Sequence, residues 1–171
     1  MTPSRHWART RGAGSDDSAV GPQYLAVDPG AIGSSEERDG GGDILRGKGS
    51  ADTLRGFTGS DTMTGGNGSD ALYGGRGADT MRGNAGNDDL YGGAGNDTIY
   101  GGKGGDTTSG EAGSDDLYGG PGHDKIIAGT GSDHRVFAGD GEQDLICVDP
   151  NSSGLIVTED PQDTFIFNRS C

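Results

Sequence analysis

Aspartate recurs at every ninth position without a gap: Asp43, Asp52, Asp61, Asp70, Asp79, Asp88, Asp97, Asp106, Asp115, Asp124 and Asp133. Two residues after each stands Leu45, Leu54, Met63, Leu72, Met81, Leu90, Ile99, Thr108, Leu117, Ile126 and Arg135, aliphatic or Met in nine of eleven cases. A period of nine with one apolar residue per unit fits neither an amphipathic helix nor an ordinary hairpin strand. It fits a parallel β-solenoid, in which each unit buries one side chain and relies on stacked neighbours for a core. The residues flanking the apolar position are mostly Thr, Asp, Lys, Arg and Tyr, which alternation along a strand turns outward.

Composition alone would argue against any fold. Hydrophobic residues make up 29%, glycine 37 of 171 residues, and the formal net charge is −14. Such a chain buries too little apolar surface to offset the ordering of its backbone. The periodicity makes up that shortfall only if something neutralises the aspartates, and divalent cations are the natural counter-charge. Strong acidity argues against a nucleic-acid partner, whose phosphates it would repel. If aspartate were here only as a turn residue, Asn or Ser would appear among the eleven.

The clearest unit is Gly92-Gly-Ala-Gly-Asn-Asp-Thr-Ile-Tyr100, and the nine-residue stretches from Gly65, Gly74 and Gly83 repeat it. The pattern is Gly-Gly-x-Gly-x-Asp-x-U-x, with U a large aliphatic residue. A turn this tight needs positive φ and close backbone approach, which glycine supplies at least cost. This nonapeptide resembles the calcium-binding repeat of RTX, or haemolysin-type, proteins. The resemblance covers roughly Gly40 to Ile146. Units centred on Asp70, Asp79, Asp97 and Asp124 match fully; Phe57, Asn84 and Glu111 replace the second glycine, and Lys48 and Ser50 both depart in the Asp52 unit.

The resemblance implies an all-β fold, a right-handed parallel β-roll of about five coils with two nonapeptides per coil. Several Ca2+ ions would lie between turns stacked on the same side, so partner aspartates stand eighteen residues apart. One edge would stack Asp43, Asp61, Asp79, Asp97, Asp115 and Asp133; the other would stack Asp52, Asp70, Asp88, Asp106 and Asp124. Calcium takes six to eight oxygens, from carboxylates and backbone carbonyls alike, and extracellular modules hold it at ~10⁻⁴–10⁻³ M. The implied function is calcium binding coupled to folding, in a secreted or cell-surface monomer that is not an enzyme. Two other readings are an accessory folding or secretion module of an extracellular hydrolase, and a calcium-dependent adhesive or surface protein.

Three regions follow: an irregular segment over 1–38, the calcium-binding roll over 39–146, and a C-terminal cap over 147–171 that doubles as a possible secretion signal. Tyr24, Leu25 and Val27 form a small apolar knot, a candidate strand over the first coil. His6 and Trp7 read as solvated tail residues. No apolar run is long enough for a transmembrane helix, and the N-terminus lacks the apolar core of a Sec-type signal. Cys147 and Cys171 suit a single disulfide in an oxidising compartment, worth ~3 kcal/mol on loop-entropy grounds. Near the C-terminus Leu145–Val148, Leu155–Val157 and Thr164–Phe167 are far more apolar than the repeats and read as closing strands.

Other motifs carry less. Gly42 to Lys48 resembles a phosphate-binding loop, but Gly49 stands where Ser or Thr must hold Mg²⁺. His123 and His134 sit at variable repeat positions with no nucleophile elbow near them. Tyr73 with Tyr91, and Tyr100 with Tyr118, are eighteen apart and should stack as outward pairs. Thr108 and Arg135 stand in inward slots without an apolar side chain and should mark the weak points.

Overall fold

The computed structural model describes residues 24–26, 34–36, 41–131, 134–138, 141–150, 156–158 and 161–167. The chain forms a parallel β-roll of about six turns, with no helix among the described residues. In chain order the strands are β1 (Tyr24–Ala26), β2 (Ser34–Glu36), β3 (Ile44–Arg46), β4 (Thr53–Thr58), β5 (Thr62–Asn67), β6 (Ala71–Arg76), β7 (Thr80–Ala85) and β8 (Asp89–Ala94). They continue as β9 (Thr98–Lys103), β10 (Thr107–Ala112), β11 (Asp116–Tyr118), β12 (Lys125–Ile127), β13 (Arg135–Phe137), β14 (Leu145–Val148), β15 (Ile156–Thr158) and β16 (Thr164–Phe167). Odd-numbered strands build one eight-stranded sheet and even-numbered strands the other. Every strand therefore pairs with the second one along the chain, and two nonapeptides make one coil.

Register follows from the period. Met63 lies beside Met81 and Met81 beside Ile99 in the odd sheet; Leu54 lies beside Leu72 and Leu72 beside Leu90 in the even one. All of these side chains are fully buried, so the core is a pair of facing aliphatic rows running along the roll axis. Side chains one position on point outward and stack instead. The Tyr73 and Tyr91 rings lie 5.2 Å apart, and those of Tyr100 and Tyr118 lie 4.6 Å apart, both near-parallel as the spacing anticipates. Phe137 extends the second row at 4.4 Å, and Arg55 and Arg82 cap the rows at Tyr73 and Tyr100.

Thr108 occupies its inward slot as expected, completely buried between Leu90 and Ile126, and its hydroxyl has no hydrogen-bond partner. A buried hydroxyl without a partner costs stability that a methyl of the same shape would not. Thr108→Val should therefore stabilise the roll by about 1–2 kcal/mol in a denaturant titration at saturating calcium; a loss of stability would refute this account of the site.

Arg135 corrects the sequence reading. The coil between Asp115 and β13 holds one residue more than the regular 18-residue coils before it, so Arg135 pairs with Asp116 and Val136 with Leu117. Because side chains alternate, one extra residue moves Val136 into the core and Arg135 out. Val136 is fully buried, and the exposed Arg135 guanidinium grips the Asp116 carboxylate through Nε and a terminal nitrogen. An apolar residue one step along takes the slot that the guanidinium could enter only at a heavy desolvation cost.

The roll also runs past the periodic stretch at both ends. β1 pairs with β3, as the apolar knot at Tyr24 and Leu25 suggested, while β2 pairs with β4 without a counterpart in the sequence reading. β14, β15 and β16 pair in parallel with β12, β13 and β14, continuing the two sheets. Cys147 is buried and disulfide-bonded; Cys171, Asp133, His6 and Trp7 lie outside the described residues.

Candidate metal centres along the two turn ladders

Each repeat turn carries one aspartate, and the roll stacks those turns at the two junctions between its sheets. Asp43, Asp61, Asp79, Asp97 and Asp115 fall in one column; Asp52, Asp70, Asp88, Asp106 and Asp124 fall in the other. Within a column each carboxylate reaches back one coil. Asp97 Oδ1 accepts the backbone N–H of Asp79 at 2.8 Å, and Asp106 Oδ1 accepts that of Asp88 at 2.8 Å. From the second member of each column onward, one carboxylate oxygen is thus fixed by the preceding turn. All ten side chains are buried.

The second oxygen is the telling one. Oδ2 of Asp70, Asp79, Asp88, Asp97, Asp106 and Asp115 is buried and has no hydrogen-bond partner. A buried acceptor left in that state costs free energy, so it marks a place built for something else. Close to it lie backbone carbonyl oxygens of the next coil. A Cβ added to Gly92 would land on Asp97 Oδ2 and lie 2.9 Å from the Gly110 carbonyl; on Gly83 it would meet Asp88 Oδ2 and the Gly101 carbonyl at 2.5 Å. The first glycine of the repeat therefore keeps a cradle open between a carboxylate oxygen and a carbonyl of the next coil.

The other glycines shape the turn. Gly93 (φ +110°) and Gly95 (φ +143°) adopt backbone conformations that side chains resist, and both pack on the backbone of the coil before. Where the second glycine is replaced, Phe57, Asn84 and Glu111 keep the left-handed φ at 68°, 83° and 66°. Asn87 and Asn96 add support, their Oδ1 atoms accepting the N–H of Gly105 and of Ser114 one coil on, each at 3.0 Å.

The carboxyls feel one another and their burial. Desolvation pushes Asp97 up to about 7, with Asp79, Asp115 and Glu111 adding repulsion and the Asp79 N–H opposing it. Asp106 and Asp115 rise to about 6, again chiefly through burial. Asp70, Asp79 and Asp88 move the same way for the same first reason. Anions crowded in this way call for a cation.

The donor set consists of hard oxygens, carboxylate plus carbonyl, which suits Ca2+ far better than the nitrogen- and sulfur-seeking metals. Among the described residues no three His, Cys, Asp or Glu side chains converge on one point. An ion held here would draw on carboxylates from successive turns and take its remaining ligands from backbone carbonyls.

Sequence reasoning missed the continuation of the second column, and in the first it expected Asp133, which lies outside the described residues. Asp144 joins the second, its Oδ1 accepting the Asp124 N–H at 2.8 Å over a 20-residue interval, and Asp163 follows at 3.2 Å from the Asp144 N–H. The signal was present in the aliphatic residue two positions after Asp144, Ile146. In the first column the residue stacked against Asp115 is His134: its Nδ1 accepts the Asp115 N–H at 3.3 Å and lies 3.4 Å from Asp115 Oδ2. A fully buried imidazole there replaces a carboxylate oxygen with nitrogen, a poor ligand for calcium.

A family model described as the RTX calcium-binding nonapeptide repeat, in four copies, matches residues 38–72, 73–108 and 100–134. No curated protein and no solved structure matches the chain.

Proposed function

Because the chain belongs to the RTX calcium-binding nonapeptide-repeat family, we propose that it is a calcium-driven folding module, acting outside the cell or at its surface. The observation that carries this reading is the row of buried Oδ2 atoms without hydrogen-bond partners from Asp70 to Asp115, with glycines holding open the space between carboxylate and neighbouring-coil carbonyl. Asp43, Asp61, Asp79, Asp97 and Asp115 would hold ions along one edge, and Asp52, Asp70, Asp88, Asp106, Asp124 and Asp144 along the other. Calcium supplies positive charge that cancels the repulsion along each column and ligates oxygens that are otherwise stranded.

Folding and binding then form one equilibrium. The core holds one aliphatic side chain per nonapeptide, too little to order nine residues on its own. Separate turns hold no site, because the oxygens come from two coils. The unfolded chain therefore binds calcium poorly, and whatever binds the folded state alone stabilises it. Coils touch only their neighbours, so ions should enter cooperatively. A chain of this kind stays open where calcium is scarce and closes where it is plentiful, which suits export before folding.

Circular dichroism during a calcium titration tests this directly. Parallel β-structure should appear cooperatively as calcium reaches the millimolar range, and magnesium, which demands tighter octahedral geometry and holds its water, should not replace it. No gain of β-signal with calcium would sink the proposal. A second reading, calcium-dependent adhesion, is favoured by the stacked outward row Tyr100–Tyr118–Phe137; surface binding or self-association that needs both calcium and those rings would support it.

A further inference from the structure

On the outer face of the even-numbered sheet, two residues break the glycine rule and bracket a trough. Phe57, in β4, and Glu111, in β10, occupy the second-glycine position with φ of 68° and 66°; between them, on β6 and β8, the same position is Gly75 and Gly93. A left-handed φ is unfavourable for a bulky residue, so two side chains stand as strained posts at the ends of a floor of bare backbone. Tyr73 and Tyr91, stacked on each other, form one wall, and Arg76 stands on the other side at the Phe57 end. Phe57 is 42% exposed, unusual for a phenylalanine with a well-packed sheet beneath it. The trough is thus aromatic, flanked by the Arg76 guanidinium, at one end and anionic at the other.

Its length is set by the sheet. From Phe57 to Glu111 is three strand spacings, about 14 Å at ~4.7–4.9 Å each. Four residues of extended chain cover the same distance at ~3.3–3.6 Å per residue. The sequence contains a segment with that pattern. Residues 5–11, Arg-His-Trp-Ala-Arg-Thr-Arg, carry the protein's single tryptophan and three arginines, and the first twelve residues include no acid although the whole chain is at −14. Trp7 and Arg11 are four apart, and Trp7, Arg9 and Arg11 share one face of an extended strand.

We propose that residues 5–11 dock as an extended segment in this trough, with the Trp7 indole against Phe57 and the Arg11 guanidinium on Glu111. Trp7 covers the exposed ring and meets the Arg76 guanidinium, a cation–π arrangement. Arg9 falls midway, beside the Tyr73 and Tyr91 rings. Thirteen residue steps lead from Arg11 to Tyr24 at the start of β1, up to ~43 Å of reach, enough to pass from the first coil around to the even sheet. The function of such a contact is to couple the basic N-terminal segment to the assembled roll: posts and floor come from four successive coils, so the trough exists only after those coils have stacked. The inference rests on the calcium-driven reading in that one respect.

Trp7 is its own reporter. In the full chain with calcium, its fluorescence should be blue-shifted and protected from acrylamide relative to the calcium-free chain. Phe57→Gly and Glu111→Gly should each abolish that protection while circular dichroism shows the roll intact, since glycine suits the φ at both positions. High salt should release the tryptophan without unfolding the roll. If Trp7 in the folded protein is quenched as readily as in the calcium-free chain, or if both glycine variants keep the protection, the docking is wrong. Protection that grows with protein concentration would overturn it too, by placing the segment on a second copy. Failure of the roll to form, read by circular dichroism, would instead strike the proposed function.

Discussion

Asp97→Asn should raise the calcium concentration needed to fold the chain and cost about 3–5 kcal/mol of stability at fixed calcium, the scale seen when one partner of a buried charge pair is removed. The substitution preserves shape, and the amide oxygen can still accept the Asp79 N–H that Asp97 Oδ1 accepts at 2.8 Å. What it deletes is charge at a shared position. In the proposed ladder Asp97 contributes to the ion on the Asp79 side and to the ion on the Asp115 side, so both keep one carboxylate where each had two. Calcium affinity follows the number of charged ligands, and neighbouring coils lose their stacking partner together. Asp43→Asn, at the start of the same column, touches one ion and should cost roughly half as much. Calcium-dependent thermal melts of the two variants settle the matter: equal losses at both positions would contradict shared ligation, and no loss at either would remove aspartate from the binding account altogether.

Without calcium, the chain should become more structured as the solution is acidified. Asp97 in the folded arrangement titrates at about 7, and Asp106 and Asp115 at about 6, all raised first by burial from an ordinary value of 3.8. A carboxyl raised on folding makes the folded chain bind more protons than the unfolded one between those values. The stability it contributes is therefore fully present below about pH 4 and is lost as pH rises through 6 to 7. Summed over three such groups, the change is several kcal/mol. Protons do in acid what calcium does at neutral pH, removing the charge that the columns cannot tolerate. With saturating calcium the sign reverses, because ligation needs the ionised carboxylate and protons compete for it. Circular dichroism against pH from about 4 to 8, in metal-free buffer and in calcium, should give two curves of opposite slope; loss of β-structure on acidifying the metal-free chain would refute the first.

Both predictions lean on columns that the nine-residue period, taken with the family resemblance, already implied. A nine-residue period with an aliphatic residue two after each Asp leaves little choice of register, since a strand slipped by one residue would expose Leu72 and Met81 and bury Tyr73 and Arg82. The stacking of Tyr73 on Tyr91 was legible for the same reason. Less could be read where a turn changes length. Arg135, His134 and Asp144 were misplaced or missed because counting in nines assumes a constant turn, and stacked positions in the coils at the C-terminal end are 19 to 21 residues apart.

The sequence by itself determined the repeat, its aliphatic inward register and the nine-residue spacing of its aspartates, and the family resemblance added two nonapeptides per coil, hence two sheets and two aspartate columns. The inward register and the spacing are consequences of local alternation and a fixed count, and both are written along the chain. Only the tertiary structure decided which residue follows Asp115 in its column, that Val136 rather than Arg135 completes the core, and that Phe57 and Glu111 face the same trough. Those outcomes depend on how an extra residue is absorbed in a turn and on which strands lie side by side, and burial energy across coils settles both.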